Sequence, residues 1–201
     1  MSKKNKIDPE MMSLFKIFGI SSILFVILIS FFNDKSPNTS NENNLLAIDD
    51  ASRLYFKNVR QPYYDVEGRT DAKMNIYRLG KRVKSENDPI LNIAIIINRI
   101  KDEAYLYVEP SAVFDNETII KIKWISENKE VDGELDFRSG DRYDHYGFVE
   151  DLYPLLLSNA SFTTEIAGKR HPILSEGRER DAFRITAFDY YRLTARDDMN
   201  K

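Results

Sequence analysis

No cysteine occurs among the 201 residues, so a disulfide framework, a thiolate zinc site and a cysteine nucleophile are all excluded. Histidine is nearly as scarce, with only His145 and His171. A two-histidine metal site would need the loops around them to meet. No glycine-rich phosphate loop is present, and no serine sits in a recognisable nucleophile elbow, which leaves nucleotide enzymes and serine hydrolases without a motif. No internal repeat of fixed period occurs either. Charge is muted as well: 29 Lys and Arg face 32 Asp and Glu, for a formal net of −3. With the signs mixed along the chain, nothing points to nucleic acid as a partner.

What the chain does have is one long apolar run. Ile17, Phe18, Gly19, Ile20, Ile23, Leu24, Phe25, Val26, Ile27, Leu28, Ile29, Phe31 and Phe32 fall in sixteen consecutive residues without a charge. Extended back to Met11, the stretch reaches 22 residues, interrupted only by Lys16. A helix needs about 20 such residues to cross some 30 Å of hydrocarbon. Lys3, Lys4, Lys6 and Lys16 precede the apolar core and only Lys35 soon follows it. That asymmetry predicts a cytoplasmic N-terminus and an extracytoplasmic remainder. A cleavable signal peptide would want small residues at −3 and −1 beyond the core, and Ser30 to Lys35 offers no such pair.

The organisation read from the sequence has four parts. Residues 1–16 form a cytoplasmic segment, and 17–32 a transmembrane signal anchor whose apolar stretch extends back to 11. Residues 33–44 form a flexible polar tether, rich in Asn and Ser and too polar to offset the entropy of ordering. Residues 45–201 form one extracytoplasmic domain, long enough for a proper core.

Within that domain the two-residue period marks strands. Ile90 to Ile100 places Leu91, Ile93, Ile95 and Ile97 on one face, and Ala104 to Glu109 returns as its hairpin partner. Thr118 to Ser126 puts Ile120, Ile122 and Trp124 inside, with Glu134 to Phe137 following a polar turn. Strands are also expected at 53–59, 74–79, 162–166 and 182–187, the last with Phe183 and Ile185 inward. Turn-like residues fill 65–69, and Gly168 to Arg180 reads as a long polar loop. Phe148, Leu152, Leu155, Leu156 and Asn159 have helical spacing, and Asp189 to Ala195 suits a closing helix. The expected fold is α+β: a single N-terminal transmembrane helix, then a mostly antiparallel sheet or sandwich with two or three short helices.

Three groups of residues invite a functional reading. Asp141, Asp144 and His145 lie between two glycines before a predicted helix. They would suit a hard cation or proton transfer, although adjacent side chains tend to point apart. Tyr105 and Tyr107 share a strand face, and Tyr143 and Tyr146 lie in the same glycine-bounded run as the acidic cluster. Exposed aromatics with a polar rim hold glycans, peptides and proteins, whereas burial on two sides would give the same pattern. Arg78, Lys81, Arg82 and Lys84 make a basic patch for anionic lipid or an acidic partner, or a solvated loop balanced by Glu86 and Asp88.

The leading expectation is a non-catalytic, membrane-anchored protein without a cofactor, whose domain binds another envelope or membrane protein. An anchored glycan- or peptide-binding module is the alternative. An anchored metal-dependent enzyme using Asp141, Asp144 and His145 is the third.

Overall fold

The computed structural model describes residues 9–31, 46–175 and 177–195, in two units that divide after Asn43. Residues 1–8, Phe32 and the expected tether 33–44 lie outside the described residues. The first unit holds helix α1, Pro9–Phe31. It starts earlier than the expected span, because Met11 to Phe15 continue the apolar surface and one Lys does not interrupt a helix. The 19 residues Glu10–Leu28 are long and apolar enough to cross a membrane, and none of that window is buried.

The second unit opens with α2, Asp50–Tyr55, whose N-cap Asp49 accepts the Ser52 N–H at 3.0 Å. It runs into a π turn, Phe56–Arg60, and a 3-10 turn, Gln61–Tyr63. The strand expected over 53–59 is therefore helical. Only Phe56 of that stretch is buried, so a two-residue period has no second core contact to make.

Four antiparallel strands then form a meander: β1 Tyr64–Arg69, β2 Met74–Leu79, β3 Leu91–Asn98 and β4 Glu103–Pro110. Strand β1 replaces the expected turn, with Tyr64 its one buried residue. The central strand β3 behaves as its pattern predicts, with Leu91, Ile93 and Ile95 buried in the core. Ile95 is in register with Tyr77 of β2 and Leu106 of β4.

The second sheet has the order β6-β5-β7-β8, all antiparallel. Its strands are β5 Ile120–Ile125, β6 Asp132–Phe137, β7 Ser161–Ile166 and β8 Lys169–Ile173. Strand β8 lies in the expected polar loop. It turns back from β7 through Ala167 and Gly168, both at positive φ, as a two-residue hairpin turn requires.

Two long helices complete the domain. Helix α3, Arg142–Leu157, contacts β4 and β6 and so ties the two sheets together. It ends with Asn159 at φ 58°. Asn159 N–H reaches Leu156 O at 3.3 Å and Ala160 N–H reaches Leu155 O at 3.0 Å, the Schellman closure of a helix C-terminus.

Helix α4, Gly177–Leu193, packs on β3 and β4 and corrects the largest misreading. Residues 182–187 continue one helix with the closing segment rather than forming a strand. As a helix the stretch buries Ala182, Phe183, Ala187, Tyr190, Tyr191 and Leu193. A strand there would have buried only Phe183 and Ile185. At about 1.5–3 kcal/mol for each large side chain, the helix wins. Ile185 lies at the margin of the core, packed against it but only partly buried.

Candidate binding site

The acidic cluster singled out by the sequence is the first turn of α3. Asp141 is its N-cap, accepting the Tyr143 N–H at 2.7 Å and the Asp144 N–H at 3.2 Å. Asp144 reaches back to accept the Asp141 N–H at 2.8 Å. The two carboxylates thus form a capping box, satisfying donors that the helix itself leaves unpaired.

His145 points the other way, into the core. Its Nδ1 accepts the Val108 backbone N–H at 3.0 Å, and its ring lies 4.4 Å from that of Tyr107 and 5.3 Å from that of Phe137. Burial holds its pKa below the usual imidazole value, against the opposing pull of Asp144 and Asp141. An Nδ1 that accepts requires the neutral Nε2–H tautomer, and Nε2 has no hydrogen-bond partner among the described residues. Asp144 and His145 are therefore not a pair. Among the described residues no three His, Cys, Asp or Glu side chains gather to hold a metal ion. His171 lies on β8, in register with Thr164.

The four tyrosines divide. Tyr105 is buried, and its hydroxyl donates to Glu103 Oε2 at 2.6 Å. Burial first, and the Glu103 contact second, raise its pKa. Tyr146 turns toward α4 and donates to Glu150 at 3.0 Å. Tyr107 and Tyr143 stay 40% and 46% exposed. The Arg142 guanidinium sits 5.3 Å from the Tyr105 ring centroid and 5.0 Å from that of Tyr143, with Glu103 at 3.2 Å. Strand β4 and the first turn of α3 thereby gather Tyr105, Tyr107 and Tyr143, and leave Tyr146 out.

The basic patch is mostly neutralised. Arg78 lies between Glu67 at 2.7 Å and Glu109 at 2.7 Å, while Arg82 and Lys84 share Asp65. Lys81 makes no ion pair among the described residues.

The sequence reading missed the surroundings of α4. Asp189, buried on this helix, accepts from Arg60 Nε at 2.8 Å and from the Tyr64 hydroxyl at 2.6 Å. Burial and the neighbouring carboxylate push the Tyr64 pKa upward, and the hydrogen bond to Asp189 raises that of Arg60. This cluster fixes the π turn against α4 and makes the wall of a cleft of about 480 Å³. Tyr55, Tyr153, Leu157, Arg184 and Phe188 complete its lining. Leu157 is 46% exposed and Phe188 37%. A second cleft of about 510 Å³ lies between α4 and the residues after β2, lined by Lys81, Arg82 and Arg178, and Ile185 borders both clefts. The signal was present: from Glu179 to Leu193 the buried residues recur at helical spacing, which leaves Ile185 and Phe188 on the opposite face.

No protein-family model matches the sequence, and no characterised protein or solved structure matches it either.

Proposed function

We propose that this chain is a non-catalytic, single-pass membrane protein whose extracytoplasmic domain docks another envelope component, as an accessory subunit of a membrane complex. The observation that carries the reading is α1. Between Glu10 and Leu28 it presents unburied apolar side chains on every side, with Lys16 the one charge inside the run, a surface that suits lipid better than water. The lysines before it argue for a cytoplasmic N-terminus.

Two further features support docking over catalysis. Asp141, Asp144 and His145 are engaged in capping α3 and holding β4. The clefts along α4 place exposed Leu157 and Phe188 among arginines, the mix of apolar anchor and charged rim found where proteins meet.

The test uses cells that make the tagged full chain. Carbonate extraction should leave it in the membrane, and protease added to spheroplasts should digest the domain. A domain untouched by that protease, or a chain released by carbonate, overturns the reading.

A second reading is favoured by Arg142, held between the Tyr105 and Tyr143 rings beside exposed Tyr107. Such an aromatic patch suits a glycan or peptide. Binding lost in Tyr107→Ala and Tyr143→Ala chains that still fold would favour it.

A further inference from the structure

The outward side of α4 carries Arg178, Asp181, Arg184, Ile185, Phe188 and Arg192, spaced so that they form one stripe along the helix. Clefts of about 480 and 510 Å³ flank this stripe and share Ile185. Their linings hold five cations, Arg60, Lys81, Arg82, Arg178 and Arg184, against the carboxylates of Asp181 and Asp189 and that of Asp65 beside them, which pairs with Arg82 at 2.7 Å. Asp189 is buried and already engaged by Arg60 and Tyr64. Asp181 is occupied by Arg184 at 3.0 Å. Lys81 and Arg178 make no ion pair among the described residues. A cationic groove on a chain whose formal net charge is −3 is a local concentration, not a general property of the surface.

We infer that this face of α4 is a docking groove for an acidic segment of a partner protein. The segment seats an aromatic or aliphatic side chain beside Phe188 and Ile185, with carboxylates toward Arg178, Lys81 and Arg184. The inference rests on the docking reading above and names the partner's chemistry. Charge complementarity selects the acidic partner. Concavity selects a peptide segment over a lipid surface: two clefts with an apolar divide accept inserted side chains, as in groove recognition of amphipathic segments.

The experiment presents the full chain in nanodiscs of neutral lipid to a random peptide library, and the enriched peptides are resynthesised. Enriched sequences should combine Asp or Glu with Phe, Leu or Ile. Arg178→Glu and Arg184→Glu should each weaken their binding by about tenfold or more, and Phe188→Ala by a similar factor. Lys123→Glu, on the second sheet, should leave it unchanged. Circular dichroism of each variant confirms that it has folded.

Enrichment of basic or uncharged peptides overturns the proposal. So does absence of enrichment, or binding indifferent to all three groove substitutions. Anionic vesicles provide the other outcome: if they bind the chain through Arg178 and Arg184 while no acidic peptide does, the face meets lipid and the proposal fails. These failures leave membrane retention and protease digestion of the domain unaltered, so they are distinguishable from failure of the function itself.

Discussion

Val108 on β4 donates its backbone N–H to Nδ1 of His145 on α3 at 3.0 Å. Strand β4 ends its sheet, and an edge strand presents unpaired backbone groups to any passing chain. The imidazole closes one of them. It does so only while Nδ1 is unprotonated, which matches the direction in which burial moves its pKa. The folded chain binds this proton less readily than the unfolded chain does. The contribution is therefore complete above the ordinary imidazole value of 6.5. It falls as pH drops below that value toward the lower folded pKa. Urea midpoints followed from neutral to mildly acidic pH should show this decline, and His145→Asn, which retains an acceptor, should flatten it. An unchanged slope in that variant would remove His145 from the account.

Two buried tyrosines should respond in opposite ways to loss of the hydroxyl. Tyr64 donates to the Asp189 carboxylate at 2.6 Å, so Tyr64→Phe should cost about 1.5–3 kcal/mol, the range for hydrogen bonds to charged groups. The Tyr191 hydroxyl is buried with no partner among the described residues. Tyr191→Phe should be neutral or stabilising by about 1 kcal/mol. Denaturant unfolding of the two variants checks both; equal losses would contradict the geometry.

Gly133 of β6 lies opposite Trp124 of β5, and a Cβ there would come within 2.8 Å of the indole. Gly133→Ala should destabilise by about 1–3 kcal/mol, as overpacking does. Trp124 is the chain's single tryptophan, so its fluorescence reports the same event. A Trp124→Leu background should absorb much of the loss. An alanine tolerated with unchanged emission would show that the ring is not held over Gly133.

Tyr105→Ala should lower the melting temperature clearly, because it removes a buried ring and a 2.6 Å hydrogen bond to Glu103. Tyr143→Ala, at an exposed position, should change stability by about 0.5 kcal/mol or less. The reverse order would place the ring contacts of Arg142 differently.

Legibility in the sequence followed burial. Strands β3, β4 and β5 turn one alternating face to the core, and their periods read correctly, while β7 was legible as a strand without a face assigned. Strands β1 and β8 end their sheets and bury one residue each, Tyr64 and Ile173, so no alternation marks them. In α4 the pair Phe183 and Ile185 imitates a strand over six residues, and only the window from Glu179 to Leu193 reveals the helix. The acidic cluster was visible as a group, but its use was not. Whether Asp141 binds a ligand or caps a helix depends on where the helix begins. The cleft between α4 and the π turn depends on Asp189 meeting Arg60, 129 residues away, and a contact of that range leaves no local trace.

Arg180 of α4 donates to the carbonyl oxygens of Leu156 at 3.1 Å and Ala160 at 3.0 Å, where α3 ends and β7 is about to begin. Carbonyls do not titrate, and a guanidinium keeps its charge at every pH the domain would meet. Helix α3 is thus fastened at its two ends by contacts of different chemistry: Arg180 is indifferent to protons, while at the other end the His145 contact is lost on protonation and the Arg142–Glu103 ion pair remains. Acidification should therefore weaken one end of the helix and not the other. The contact with β4 loosens while the last turn stays fixed, and amide exchange at Val108 quickens before exchange at Asn159 and Ala160. With the His145 acceptor lost, the Val108 N–H on this edge strand would be open to another chain.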